Sequence, residues 1–354
     1  FMQSSGGLTD AQVFAGKDAI LSGPAGGIVG MARTAQLAGH DKVIGFDMGG
    51  TSTDVSHFAG QFEREFETQV AGVRMRAPMM SIHTVAAGGG SILGFDGARF
   101  RVGPESAGAN PGPASYRRGG PLATTDANVL LGKIQPAHFP KVFGPNADEA
   151  LDREGVVLKF EALAAQVREA TGRATTPEAL AAGYLQIAVQ NMANAIKRIS
   201  VARGYDVTQY TLQCFGGAGG QHACLVADAL GMQRVFVHPL AGVLSAYGMG
   251  LADQNVIKEQ AVERVLDGGA LGAIAAQLDA LAEAASHELR AQQESQRELQ
   301  VHRRVHVRYE GSDSALVVPW PDAAEDDAAT LAAVAKAFEA AYQQRFAFLM
   351  AGKR

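Results

Sequence analysis

The sequence predicts an α/β fold, and three observations carry that reading. Two glycine loops each follow an apolar, strand-like run: Val43–Phe46 leads into Asp47-Met48-Gly49-Gly50-Thr51-Ser52-Thr53-Asp54, and Tyr210–Cys214 leads into Phe215-Gly216-Gly217-Ala218-Gly219-Gly220. Segments of helical periodicity and small-residue content alternate with these strands. The 354 residues, 47% of them hydrophobic, are enough for a sizeable core and suggest about two domains at ~150 residues each.

Taken in order, Ser22-Gly23-Pro24-Ala25-Gly26-Gly27 opens a helix running to Gly39. Pro24 sits in its first turn, where a missing N–H is harmless, and the small residues permit another helix to cross closely. The first glycine loop leaves Val43–Phe46 and enters the alternating Val55-Ser56-His57-Phe58, so it joins a hairpin. Gly49 and Gly50 allow φ > 0 and place no Cβ between backbone and ligand, so successive N–H groups can converge on a phosphate. Phe62–Phe66 is expected to complete a meander turning at Gly60. A third glycine cluster, Gly88-Gly89-Gly90-Ser91, follows. Residues 95 to 150 then concentrate Pro104, Pro111, Pro113, Pro121, Pro136, Pro140 and Pro145 in a loop-dominated stretch of the kind that carries function on a rigid scaffold.

Thr176-Pro177-Glu178 caps and starts a long helix ending near Gly204, with Leu180, Tyr184, Ile187, Ala188, Ala195 and Ile199 on one face and Asn191 and Asn194 interrupting it. The second glycine loop opens a helix that Gly231 stops. His238 to Gly250 is again rich in small residues. Beyond Asp253, Leu271, Ile274, Leu278, Leu281, Ala285 and Leu289 mark an amphipathic helix with a solvated end over Glu288 to Gln300. Val305, Val307 and Tyr309 alternate in a strand that turns at Gly311-Ser312-Asp313-Ser314 into Leu316–Val318. Leu331, Val334, Phe338, Tyr342 and Phe346 form a last helical stripe.

Neither loop is a Walker or Rossmann motif: the first lacks Gly-Lys-Ser/Thr and leads into a strand, and the second lacks the third glycine. In their order, the four segments resemble the actin-like ATPase superfamily, with two phosphate-side and base-side loops and two connecting helices. Further motifs, Thr84-Val85-Ala86-Ala87-Gly88-Gly89-Gly90-Ser91, Gly103 to Pro113 and Thr125-Asp126-Ala127-Asn128, are similar to the hydantoinase A/5-oxoprolinase family over roughly the first 260 residues.

That resemblance implies an incomplete actin-like (ribonuclease H-like) scaffold with a small appended α/β layer. It places a nucleotide-binding domain over residues 1 to 264, a loop-rich insertion at about 95 to 175, and the appended segment at 265 to 354. It further implies ATP and Mg²⁺ as cofactors and a hydrolase that opens a cyclic amide, 5-oxoproline to glutamate through a phosphorylated lactam, within glutathione metabolism. Gly49, Gly50, Thr51 and Ser52 would hold phosphate, Gly88, Gly89 and Gly90 would lie near the terminal phosphate, and Gly216, Gly217 and Gly219 would border adenine and ribose. Asp47 is the expected holder of the magnesium's water and a catalytic residue, with a turn aspartate as the plainer alternative. Asp126 is a second catalytic candidate, with helix capping as its alternative, shared by Asn128. Arg99, Arg101, Arg117 and Arg118 are possible carboxylate partners, each more commonly solvated. His83 and His222 stand beside glycine clusters.

Composition supplies limits. A net charge of −5 gives no electrostatic case for nucleic acid or an anionic membrane surface. No apolar run approaches ~18 residues and the start has no signal-like core, so the expected compartment is the cytoplasm. Cys214 and Cys224 match no metal spacing and are expected as buried thiols. No Gly-x-Ser-x-Gly elbow is present, which disfavours a serine-hydrolase route. The missing Asp-x-Gly-Thr loop and the abrupt ends suggest a fragment whose partners are the rest of the polypeptide or a hydantoinase B-type subunit, in a homo-oligomer. Alternatives on the same scaffold are an N-methylhydantoinase, an acetone carboxylase subunit, or a chaperone-like nucleotide switch, which the Pro/Gly-rich insertion disfavours.

Overall fold

The structure is a computed structural model describing residues 1–353 apart from 71, 293–297 and 323–325. Its first helix, α1 (Ser22–Leu37), has Pro24 in the first turn as expected. β1 (Lys42–Met48) and β2 (Thr53–Ala59) form the hairpin around the first glycine loop, with Asp47 opposite Asp54.

The expected meander does not continue from there. Gly60 does turn the chain, at φ +84°, but one bridge between Phe58 and Phe62 is all that joins the next strand to β2. Strand β3 (Arg64–Val70) instead pairs with β4 (Val73–Met80), and the edge of β2 is taken by β5 (His83–Val85). Next come β6 (Ser91–Phe95) and β7 (Phe100–Ser106), a two-stranded hairpin. The short α2 (Thr124–Leu130) and α3 (Arg153–Thr171) follow among loops that keep a small core of their own, Val129, Ile134, Phe143 and Leu151.

Helix α4 (Pro177–Ile199) starts as the sequence predicts, Thr176 Oγ1 accepting from the Ala179 amide and Pro177 at the first position. It leads through a 3-10 turn to Gly204 and then to β8 (Thr211–Phe215). α5 (Ala223–Leu230) ends at Gly231, left-handed at φ +69°, before β9 (Arg234–Phe236) and α6 (Leu244–Leu251).

Five strands make one mixed sheet in the order β5-β2-β1-β8-β9. β1, β8 and β9 are mutually parallel and the other pairings antiparallel. Alternation along β1 separates two cores: Ile44, Phe46 and Met48 join the apolar residues of α3, α4 and α5, while Val43 joins those of α1 and α6. Fully burying side chains such as Phe46, Leu212 and Tyr184 contributes roughly 1.5–3 kcal/mol each.

On the second face the small residues do what the sequence implies. A Cβ at Gly26 would stand 2.6 Å from Ser245 O and one at Gly30 2.7 Å from Leu244 O, so α1 and α6 cross backbone against backbone. Of the remaining elements, α7 (Gly268–Ala291), β10 (Arg304–Val307), β11 (Leu316–Pro319) and α8 (Asp327–Phe346), the last three with the residues beside them gather a third core from Tyr309, Leu316, Val318, Val334, Phe338 and Tyr342, and α7 lies against α8. The solvated end expected over Glu288 to Gln300 lies partly on residues 293–297, outside the described residues. No helix among the described residues is long and apolar enough to cross a membrane.

Candidate functional site

Because β1 and β8 are adjacent and parallel, with Asp47 opposite Phe215, the two glycine loops leave the sheet at the same end. They are joined directly, the Ala218 amide donating to Met48 O at 2.9 Å. The third cluster docks on the first loop. Gly89 N donates to Gly49 O at 3.1 Å and Gly90 N to Gly50 O at 2.6 Å. A Cβ at Gly88 would stand 2.6 Å from the Thr51 carbonyl carbon, and one at Gly89 would stand 3.7 Å from Ala218 Cβ. Three glycine segments that are far apart in sequence thus converge beside Asp47.

The glycines serve two purposes. A Cβ at Gly50 or Gly217 would meet nothing within 4 Å, and one at Gly49 only Ser52 O at 3.8 Å, so these positions border open space. Gly88, Gly89 and Gly90 are buried and hold backbone against backbone. Gly216, at φ +82°, has no room for a side chain between Asp47 Oδ1 and Met48 O. Gly219, expected near adenosine, faces the core, where a Cβ would approach Cys214 Sγ and Phe46. A further correction concerns backbone conformation: neither Gly49 nor Gly50 has positive φ. Four residues close the turn, with Gly49 N donating to Ser52 O at 3.0 Å, and no left-handed backbone is required at either glycine.

Asp47 sits half-buried at the end of β1. Burial, and then the charge of Asp54 across the hairpin, push its carboxyl up to about 6. Asp54 Oδ1 in turn accepts from Thr84 Oγ1 at 2.6 Å. Two facing carboxylates, one of them destabilised as an anion, suit a cation. Among the described residues no group of three or more His, Cys, Asp and Glu side chains gathers as a metal cage. A single half-buried carboxylate beside open backbone is a donor set that Mg²⁺, completed by water and phosphate oxygens, would fit.

Asp126, the other expected catalytic carboxylate, is fully buried. Its oxygens accept from the amides of Ala114 (2.9 Å), Ser115 (2.9 Å) and Ala123 (2.8 Å). The capping alternative is the one the geometry shows: Asp126 brackets the start of α2 to the insertion, with no lone pair turned to an open cleft. Burial raises its carboxyl above the ordinary range despite those bonds. Arg101 pairs with Asp96 at 2.8 Å. Arg117 donates to Ala150 O and lies near Glu149 and Asp152, and Arg118 donates to Gly144 O at 3.1 Å, so these three brace loops. His83 lies in β5 opposite Val55. Cys214 is buried as expected, but Cys224 is exposed because α5 turns that position to solvent.

Contacts around α2 carry no sequence signal beyond residue type. Thr125 grips Gly89, its amide and its Oγ1 both donating to Gly89 O, at 2.7 and 2.8 Å. Asn128 Nδ2 donates to Gln221 Oε1 at 2.8 Å and reaches His222 Nε2 at 3.1 Å. His222, which stands beside the second glycine cluster in sequence, is fully buried in this contact. Burial, with Lys133 nearby, pushes its imidazole down to about 4, so it is neutral.

The model of the hydantoinase/oxoprolinase family matches residues 1–258. The chain is 40% identical over 370 residues to 5-oxoprolinase of Dictyostelium discoideum, covering all of this chain and 29% of that protein. It is 44% identical over 321 residues to 5-oxoprolinase of Saccharomyces cerevisiae, covering 90% of this chain and 25% of that protein. The chain thus spans about a quarter of the length of these relatives. Among solved structures, the ATP-dependent caprolactamase from Pseudomonas jessenii superposes with a TM-score of 0.83 at 28% identity, over 99% of this chain and 50% of that one. The fold is the actin-like ATPase type of α/β scaffold, with an appended α/β layer.

Proposed function

The chain belongs to the hydantoinase/oxoprolinase family, and on that premise we propose that it is the part of an ATP-dependent cyclic-amide hydrolase that holds the nucleotide. The observation that carries this reading is the convergence of the three glycine segments on Asp47 at one end of the sheet. The Gly49, Gly50 and Thr51 backbone and the open flank at Gly217 surround space where side chains are absent. Backbone N–H groups there meet the needs of a phosphate chain. Asp47 is the residue that would hold Mg²⁺ through water; bound there, the ion would neutralise phosphate charge.

An amide carbonyl is a poor acyl donor because nitrogen resonance opposes attack. Transfer of the terminal phosphoryl group from ATP to the lactam oxygen removes that resonance and releases ADP. Water then adds at the carbon, the ring C–N bond breaks with nitrogen leaving as the amine, and a second water frees phosphate from the acyl phosphate. For 5-oxoproline the product is glutamate. This sequence belongs to the whole enzyme; residues 1–264 are its nucleotide domain and 265–354 an appended layer. The hydrolytic half lies elsewhere in the polypeptide or in a B-type subunit.

The test is ATP turnover by the full-length protein with 5-oxoproline, caprolactam or N-methylhydantoin. Stimulation by 5-oxoproline above the other two supports the reading. Stimulation by N-methylhydantoin alone moves the substrate to hydantoins, and turnover indifferent to all three points to a nucleotide switch.

A further inference from the structure

Helix α2 links the third glycine cluster, the Pro/Gly-rich insertion and the second glycine loop. Its first turn holds the phosphate-side cluster through Thr125 and Gly89, and Asp126 clamps Ala114 and Ser115 of the Pro/Gly-rich insertion. Its far end holds the base-side loop: Asn128 Nδ2 bonds to Gln221 and His222 across 93 and 94 positions of sequence. Lys133 Nζ, just past the helix, donates to Gln221 O at 3.0 Å. Asn128 and His222 are both fully buried, which fixes their geometry.

The network is also incompletely paired. Neither Asn128 Oδ1 nor His222 Nδ1 has a hydrogen-bond partner among the described residues. With Nε2 accepting from Asn128, the neutral imidazole carries its proton on Nδ1, so a buried donor and a buried acceptor are both left over. Unpaired buried groups are destabilising, and a network with one of each has more than one way to pair. That is the property required of a coupling element with two arrangements.

Resting on the proposed function, we propose that Asn128 and His222 are positioning residues through which α2 couples nucleotide and lactam, so that each ligand tightens the binding of the other. Neither side chain faces an open cleft, so they act through the loops they hold.

The experiment uses the full-length enzyme and calorimetry. The affinity for 5-oxoproline is measured with and without a saturating non-hydrolysable ATP analogue, and the reciprocal titration checks that both give one coupling factor. The expected wild-type factor is about fivefold or more. In Asn128→Ala it falls to near one. In Lys133→Met, whose side chain is exposed and whose loss spares the core, it falls part of the way, which keeps the test decisive if Asn128→Ala misfolds. A wild-type factor of one, or a factor unchanged in Lys133→Met and Asn128→Ala, overturns the coupling role. Failure of wild type to bind 5-oxoproline at all would instead overturn the proposed function.

Discussion

The two ends of the five-stranded sheet treat buried charge in opposite ways. At the end away from the glycine loops, His57 Nδ1 stands 2.8 Å from Glu63 Oε1 and Nε2 is 2.9 Å from Tyr210 OH. Arg203 pairs with Glu63 at 2.8 Å, and Tyr205 OH donates to the same carboxylate at 3.1 Å. Burial works to raise the Glu63 carboxyl, yet His57 and Arg203 hold it below the ordinary range. At the loop end Asp47 is half-buried with another carboxylate, Asp54, across the hairpin, and its proton affinity rises. The lesson is that a charge whose partners are all supplied by the fold stabilises it, whereas a charge left without a counter-ion marks where a ligand is to supply one.

The sharpest test of that contrast is Asp47→Asn in the full-length enzyme. Removing the unmatched charge is expected to lower kcat by on the order of 10²-fold or more, about 2.7 kcal/mol of transition-state stabilisation, while Tm holds or rises. Normal turnover in a destabilised protein would make Asp47 a turn residue. At the other end, Glu63→Gln should do the reverse: a loss of roughly 2 kcal/mol in denaturant-derived stability with kcat unchanged. A kcat defect with intact stability would erase the distinction between the ends.

Within the loop end, Gly50→Val is expected to raise the KM for ATP by about tenfold, some 1.4 kcal/mol, and to leave the KM for the lactam and the Tm nearly unaltered, because a Cβ at Gly50 meets open space. Equal changes in both KM values would remove Gly50 from the phosphate site. The smallest effect is in pH. The native carboxyl of Asp47 sits at about 6 against an ordinary 3.8, so between these values the folded state binds the extra proton and gains stability as pH falls. The Tm advantage of Asp47→Asn over wild type at pH 7, on the order of 2 °C, should therefore shrink towards pH 4. An advantage constant across that window would mean the Asp47 carboxyl is not raised.

Much of this was legible in the sequence because it is local. Thr176 and Pro177, Gly231 and the paired glycines of α1 declare caps and close crossings within a few residues. The glycine loops are legible as glycine clusters after strands, but their backbone detail is not, since composition does not show that Gly49 and Gly50 keep negative φ and border open space while Gly88 and Gly90 pack backbone against backbone. What could not be read depends on partners distant in sequence. Alternation marks Phe62–Phe66 as a strand, yet nothing in it says that His83–Val85 will occupy the edge of β2 first. Residue type draws attention to Asp126 and Asn128, with capping and ligand binding equally open. Their roles, bracketing Ala114 and holding Gln221, depend on contacts that no periodicity encodes.

The parallel pairing of β1 with β8 carries a last consequence, for the order of folding. Beneath the site, Gln213 Nε2 donates to Thr34 Oγ1 at 2.8 Å across 179 positions, so a very long loop must close before β8 can register on β1. The entropy of that closure precedes any reward from the contacts it permits. The β1–β2 hairpin, local in sequence, can form well before it. The proposed nucleotide site is then among the last parts of the chain to assemble, and amide protection along β8 should appear later in refolding than protection along β2.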